Sequence, residues 1–237
     1  MEKELSIVSN WGFEISGLLA NQESSRLIIF VHWLSWSMTE AHYFSAKEYF
    51  TKRGFWVFRF NLYASWENYR KLETSTINDH SKDIFNVLTF FASEFQDIYL
   101  VWHSLGWPSI IGMEKFPDVL KRIVFWDPAF DTGKTVLKCF NKNEVYMYIW
   151  NGKNIEISSD MYHEFEKNNH LEILKNISYE ASKMHCIYAS EARHKDLIPQ
   201  MENLWITTEI ISWANHWFTQ EGKYEELFER TLYILEK

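Results

Sequence analysis

The chain has 237 residues, of which 46% are hydrophobic and 18% aromatic, and this is enough for one α/β domain with a sizeable core over residues 1–237. A net charge of −8 argues against a protein that binds nucleic acid or anionic membranes, since both need concentrated Lys and Arg. A small neutral substrate stays compatible with this charge.

The cysteines and the N-terminal residues indicate the cellular compartment in which the protein is expected. Cys139 and Cys186 are far apart and show no metal-ligand or redox-motif spacing. Met1–Glu4 leads into a strand-like segment without the charge and apolar pattern of a signal peptide, and no apolar run approaches the roughly 18 residues of a membrane span. We expect a soluble cytoplasmic protein with reduced thiols, no metal and no cofactor. The sequence gives no indication of oligomeric state.

The first half of the chain alternates strand-like and helix-like segments. Residues 4–8 and 13–19 flank Asn10-Trp11-Gly12, which predicts an antiparallel hairpin, and the apolar run Leu27–Val31 predicts a strand buried on both faces. Further segments, in chain order, are a helix over Thr39–Arg53 closed by Gly54, a strand over Phe55–Phe60, a helix over Thr74–Phe95, a strand over 97–102, a helix over Pro108–Lys115 and a strand over Arg122–Trp126. This alternation predicts an α/β fold with a doubly wound, mostly parallel sheet.

The alternation breaks between Asp127 and Lys183. Residues 145–150 and 155–157 flank Asn151-Gly152, which predicts a β-hairpin, and a polar helix is expected over Ser159–Lys167. An insertion at about 131–180 is predicted, either a small lid or an ordinary surface insertion. The sheet then resumes with Met184–Ala189 and Ile206–Ile211, before a terminal helix over Phe218–Leu235.

One serine follows the strand over 97–102 in the setting of a nucleophile elbow. This motif is a tight strand-to-helix turn of the form Gly-x-Ser-x-Gly, and here it reads Trp102-His103-Ser104-Leu105-Gly106. Only the second glycine is present. Ser104 is the predicted nucleophile, while His103 beside it is expected to point away.

A serine nucleophile needs a histidine base and a carboxylate that orients the histidine. His216 lies in a loop after the last predicted strand and is the candidate base. Asp196 follows the strand over Met184–Ala189 and is the expected acid, which gives the chain order serine, acid, histidine. Asp127, directly after the strand over Arg122–Trp126, is the alternative acid.

These motifs together resemble those of the α/β-hydrolase fold, among small serine hydrolases such as esterases, lipases and serine aminopeptidases. The resemblance covers nearly the whole chain and includes His32-Trp33-Leu34 after the third strand, where the family has an oxyanion loop beginning His-Gly. It implies backbone donors at Leu34 and Leu105, a catalytic Ser104–Asp196–His216 triad without metal, and hydrolysis of a small ester, amide or peptide. A non-catalytic binding protein with the same fold is the alternative, because tryptophan replaces expected glycines around the site.

Six tryptophans occupy places where glycine is expected from the family pattern or from the local turn. They are Trp33, Trp36, Trp66, Trp102, Trp107 and Trp213. The chain has only 8 glycines but 12 tryptophans, whereas glycine averages about 7% of residues in proteins. We hypothesise that these positions are encoded by UGA, which the source organism reads as glycine; UGG codons there would contradict this. The alternative is a genuinely tryptophan-rich relative, and with tryptophan in place the site is expected to be impaired by overpacking.

Overall fold

The structure is a computed structural model, which describes residues 2–20, 23–32, 37–104, 107–113, 115–129, 140–141, 146–150, 153–167, 173–175, 178–192 and 194–237. The strands are β1 (Glu2–Val8), β2 (Glu14–Ala20), β3 (Arg26–Val31), β4 (Trp56–Phe60), β5 (Asp97–His103), β6 (Leu120–Trp126), β7 (Phe140–Asn141), β8 (Tyr146–Trp150), β9 (Lys153–Ile157), β10 (Met184–Ala189) and β11 (Thr207–Ile211). The helices are α1 (Ala41–Thr51), α2 (Ile77–Phe91), α3 (Trp107–Ile111), α4 (Ser159–Lys167), α5 (Ile198–Asn203) and α6 (Lys223–Leu235).

Eight of the strands form one mixed sheet, and this confirms the predicted α/β architecture. Their order is β1-β2-β4-β3-β5-β6-β10-β11. The pairs β1–β2 and β2–β4 are antiparallel, and the remaining pairs are parallel. The predicted N-terminal hairpin is therefore present, and strands β3 and β5, which precede the predicted oxyanion loop and the predicted nucleophile, lie in the interior of the sheet.

Aromatic side chains pack helices onto both faces of this sheet. Phe58 of β4 lies 5.0 Å, between ring centroids, from Phe91 of α2. On the other face, Phe30 of β3 lies 6.1 Å from Phe50 of α1, and Phe50 lies 6.0 Å from Phe228 of α6. Because both faces are covered, the strands β3 and β5 are buried along nearly their whole length.

The terminal helix begins later than the sequence predicts. A helix was expected from Phe218, but α6 begins at Lys223. Phe218 has a φ of 53° and Gly222 a φ of 73°, and both values lie in the left-handed region that interrupts a right-handed helix. Residues 212–222 therefore form a loop at the end of β11, which is where the candidate base His216 was placed.

The strands of the predicted hairpin and the predicted helix over Ser159–Lys167 are present, and hydrogen bonds join this part of the chain to residues at and just before the start of α2. Strands β8 and β9 pair antiparallel with Trp150 opposite Lys153, whereas Asn151-Gly152, the predicted turn, lies outside the described residues. Glu164 of α4 accepts a hydrogen bond from the backbone N–H of Ile77 at 2.5 Å. The Ser158 hydroxyl donates to the carbonyl oxygen of Ser75 at 2.5 Å. Within the described ranges, no helix is both long and apolar enough to cross a membrane.

Candidate active site

Ser104 lies directly after β5 in the conformation that an elbow requires. Its φ is 61°, and α3 begins three residues later at Trp107. Left-handed backbone is unfavourable for a residue with a Cβ and is typical of functional sites held by their surroundings. The serine is 3% exposed. Ser104 therefore lies at the carboxyl end of the parallel strands, directly after β5.

His216 meets this serine from the loop after β11. The Ser104 Oγ lies 2.8 Å from His216 Nε2, although 112 residues separate them in sequence. Within the loop, the side-chain oxygen of Asn215 accepts hydrogen bonds from the backbone N–H of Trp217 and of Thr219, at 3.0 Å and 3.2 Å. The Asn215 side chain thus fixes the turn that presents the imidazole.

Asp127, not Asp196, is the carboxylate beside His216, which corrects the expected acid. Asp127 Oδ2 lies 2.5 Å from His216 Nδ1, and the residue is 3% exposed at the end of β6. Its Oδ1 accepts a hydrogen bond from the backbone N–H of Ala189 at 3.2 Å. Asp196 lies instead exposed in a short 3₁₀ turn over Lys195–Leu197.

Sheet order explains the correction. Strand β6 pairs directly with β5, so the residue after β6 lies next to the residue after β5. Strand β10 is one position further along the sheet, and Asp196 comes seven residues after its end. The sequence did carry a signal for Asp127, since it follows a continuous apolar strand immediately, in Trp126-Asp127-Pro128.

Two further histidines lie beneath the site and are held neutral. His103 is buried, and this burial, together with the neighbouring His216 and His42, keeps its pKa well below the ordinary value. Burial likewise lowers the pKa of His42 to about 3. The ring centroids of His42 and His103 are 5.0 Å apart. Contrary to expectation, the His103 ring points toward the His216 loop: its Nε2 lies 2.7 Å from the His216 carbonyl oxygen.

His32 joins the end of β3 to the segment after β4. Its Nε2 accepts a hydrogen bond from the backbone N–H of Leu62 at 2.9 Å, and the side chain is fully buried. The predicted oxyanion donors Leu34 and Leu105 lie outside the described residues, as do Trp33 and Trp36. Among the residues that are described, no cluster of three or more His, Cys, Asp or Glu side chains could hold a metal ion.

Trp102 fits into the core without displacing the site residues. It is 1% exposed, and the hydrogen bonds among Ser104, His216 and Asp127 are in place with the indole present. Its Nε1–H is buried without a hydrogen-bond partner in the described part of the chain. By contrast, the indole N–H of Trp126 donates to Thr231 Oγ1 at 2.9 Å. Leu105 and Gly106 of the elbow lie outside the described residues, so impairment of the elbow by tryptophan stays a prediction. Within the described residues the indole leaves a buried donor unpaired, which costs about 1–3 kcal/mol.

Backbone conformation shows which of the other tryptophans at expected glycine positions lie where glycine would be favoured. Trp213 has a φ of 57° and is 81% exposed, which are the properties of a glycine position. Trp66 is exposed but does not have a positive φ, so its backbone does not require glycine. Trp107 begins α3, and its side chain lies outside the described part of the structure.

Trp205, which the sequence analysis did not single out, occupies the clearest glycine position. It has a φ of 63° and is 84% exposed. Its N–H bonds the Glu202 carbonyl at 2.9 Å and the N–H of Ile206 bonds the Met201 carbonyl at 3.1 Å, the pair of bonds that defines a Schellman motif after α5. At the end of α1 the matching position is Gly54, with a φ of 79°.

Known proteins resemble this chain in structure. No family model matches the sequence, and no curated protein matches it. Est1E from Butyrivibrio proteoclasticus aligns with a TM-score of 0.73 at 16% identity, covering 99% of both chains. The α/β hydrolase GrgF from Penicillium sp. sh18 aligns with a TM-score of 0.77 at 11% identity, covering 100% of this chain and 98% of its own. The Pyrococcus furiosus esterase Pf2001 aligns with a TM-score of 0.69 at 15% identity, covering 100% and 92%. Together with the strand order, these similarities show that the chain has the α/β-hydrolase fold.

Proposed function

We propose that this protein is a serine hydrolase that cleaves a small carboxylic ester, or an amide or peptide, through an acyl-enzyme. The observation that carries the proposal is the unbroken hydrogen-bonded series from Ser104 Oγ to His216 Nε2 and from His216 Nδ1 to Asp127 Oδ2. A nucleophile, a base and an orienting acid in this arrangement are the parts that acyl transfer requires. The structurally similar proteins include an α/β hydrolase and an esterase, which supports the same reaction class.

Each residue has a defined role in the proposed reaction. His216 Nε2 accepts the hydroxyl proton of Ser104 while the serine oxygen bonds to the substrate carbonyl carbon. The Asp127 carboxylate accepts the Nδ1–H bond, so that Nε2 carries the lone pair, and it stabilises the imidazolium that forms. His216 then gives its proton to the departing alcohol or amine. Water, activated by the same imidazole, hydrolyses the acyl-serine and returns the free hydroxyl.

The remaining parts of the proposal concern the oxyanion hole and the surroundings. The backbone N–H groups of Leu34 and Leu105 are the proposed donors, on the strength of the family resemblance alone. The insertion at about 131–180 is proposed as a lid because it follows the segment bearing Asp127. We propose a cytoplasmic location on the basis of Cys186, a buried free thiol.

Steady-state hydrolysis of p-nitrophenyl butyrate tests the proposal. Ser104→Ala and His216→Ala should each lower kcat by roughly 10⁶-fold, since triad members act as a unit. His163→Ala, at an exposed histidine of α4, is the matched control and should keep full activity. Esterase activity that persists in Ser104→Ala would contradict the assignment. An inactive but folded wild-type protein that binds an ester without cleaving it would support the non-catalytic alternative.

A further inference from the structure

The residue before the candidate nucleophile is bonded to the candidate base through the main chain. His103 Nε2 lies 2.7 Å from the carbonyl oxygen of His216, which is 113 residues away in sequence. A carbonyl oxygen only accepts hydrogen bonds, so the Nε2–H of His103 is the donor. This bond fixes the His103 tautomer with its proton on Nε2. The lone pair of Nδ1 has no partner within the described residues.

The same ring packs beneath the His216 loop. Its centroid lies 4.8 Å from that of His216 and 5.0 Å from that of Trp217. The loop holds strained backbone nearby, since Phe218 has a φ of 53°. A loop of this kind keeps one conformation only when its surroundings determine it. His103 supplies one such constraint from the rigid strand β5.

Burial suits His103 to this role. The side chain is 2% exposed, and the groups facing it are His42 and His216. Because burial disfavours the charged ring, His103 stays neutral and places no positive charge beside the imidazolium that the reaction forms at His216. A neutral donor can hold the carbonyl without opposing the chemistry.

We propose that His103 is a positioning residue, which holds the main chain of His216 so that Nε2 of that histidine stays within reach of Ser104. The proposal rests on the proposed function. The last residue of β5 would then anchor the base and the next residue is the nucleophile, so the distance between the two groups is set by two adjacent residues of the chain. A displacement of about 1 Å in such a site can lower the rate by about 10²-fold.

Two substitutions separate the hydrogen bond from the packing. His103→Leu fills much of the same space but has no donor, whereas His103→Gln carries an amide N–H near the position of Nε2. We expect His103→Leu to lower kcat by about 10- to 100-fold with KM changed less than about twofold, and His103→Gln to recover most of the loss. His185→Leu, at a partly buried histidine without a described partner near the start of β10, controls for the loss of an imidazole.

The outcomes distinguish this inference from the proposed function. Thermal unfolding and the rate at which a fluorophosphonate labels Ser104 are measured for every variant. Equal kcat values for His103→Leu and His103→Gln, whether both normal or both reduced, would overturn the positioning role while wild-type labelling of Ser104 upheld the hydrolase. Absence of labelling in the wild type would instead overturn the proposed function. If His103→Leu does not fold, His103→Asn, whose amide is one methylene too short, replaces it.

Discussion

Asp127→Asn gives a sharp test because the two oxygens of Asp127 have different partners. Oδ1 accepts the backbone N–H of Ala189, and Oδ2 faces His216 Nδ1. An asparagine has one oxygen, and the Ala189 N–H needs it. The amide NH₂ then faces Nδ1, which must become the acceptor and shift the ring proton to Nε2. In this tautomer His216 cannot take the proton of Ser104.

The structure also sets the size of the effect. If the amide stays in this orientation, kcat falls by about 10⁴-fold, as expected for the wrong tautomer. The amide can escape by rotating, but the buried Ala189 N–H is then unpaired at a cost of about 1–3 kcal/mol. The rotated amide also lacks the charge that strengthens a hydrogen bond to imidazolium, which adds roughly 1–2 kcal/mol. The two costs of rotation together are at least about 2 kcal/mol, so we expect kcat to fall by about 30-fold to 10⁴-fold, at about 1.4 kcal/mol per factor of ten.

The assay is steady-state hydrolysis of p-nitrophenyl butyrate by the wild type, Asp127→Asn and Asp196→Asn. The matched control, Asp196→Asn, changes an exposed carboxylate after the neighbouring strand and should leave kcat within about twofold. KM should change little in either variant. A kcat for Asp127→Asn within tenfold of the wild type, or a large loss in Asp196→Asn alone, would refute the assignment of the acid.

Two predictions concern stability. Trp205→Gly should raise the free energy of unfolding by about 0.5–1 kcal/mol, because relief of left-handed strain worth roughly 1–2 kcal/mol exceeds the entropy cost of glycine. The control Trp66→Gly, at an exposed residue, should lower the free energy of unfolding measured in urea. A Trp205→Gly protein that is less stable than the wild type would contradict the reasoning. Burial lowers the pKa of His42 and of His80 to about 3, so the unfolded chain binds more protons between about pH 6.5 and pH 3. The free energy of unfolding should therefore decrease as the pH is lowered below about 6.5, by up to about 1.4 kcal/mol per pH unit for each histidine. Equal free energies of unfolding in urea at pH 7.5 and at pH 5 would contradict this.

The backbone conformation at the tryptophans predicts which of them are encoded by UGA and which by UGG. Left-handed backbone at Trp213 supports the hypothesis that this position is a glycine, and left-handed backbone at Trp205 adds a position that was not in the original set. The backbone of Trp66 does not support the hypothesis for that position. Trp126 has a bonded indole N–H in the core and is expected to be encoded by UGG. UGA codons at 205 and 213 are the expected result, and UGG codons at both would contradict the hypothesis.

Much of the sheet was predictable because its strands are buried on both faces. The apolar runs of β3 and β5 stand out in the sequence, and the abrupt end of β5 at a serine identified Ser104. His216 was predicted as the base because a serine hydrolase needs a histidine after a late strand, and the pairing of β8 with β9 was predicted because Asn-Gly favours a tight turn. These signals depend only on neighbouring residues in the sequence, so they can be interpreted without knowledge of the fold.

What the sequence could not provide was the order of strands and the sign of φ. Asp127 and Asp196 both follow strands, and only the adjacency of β6 to β5 distinguishes them. The late start of α6 depends on left-handed backbone at Phe218, which the helical pattern of apolar residues does not reveal. Trp205 likewise has left-handed backbone at the end of a helix, which a tryptophan in the sequence does not predict.

The most direct test of the central claim is the site of covalent labelling by a fluorophosphonate. The wild-type protein is incubated with the probe, digested and mapped by mass spectrometry, with Ser104→Ala as the control. We predict one adduct on the peptide carrying Ser104, which is absent in Ser104→Ala and forms much more slowly in His216→Ala. No adduct on the folded wild-type protein, or an adduct on another serine that persists in Ser104→Ala, would contradict it.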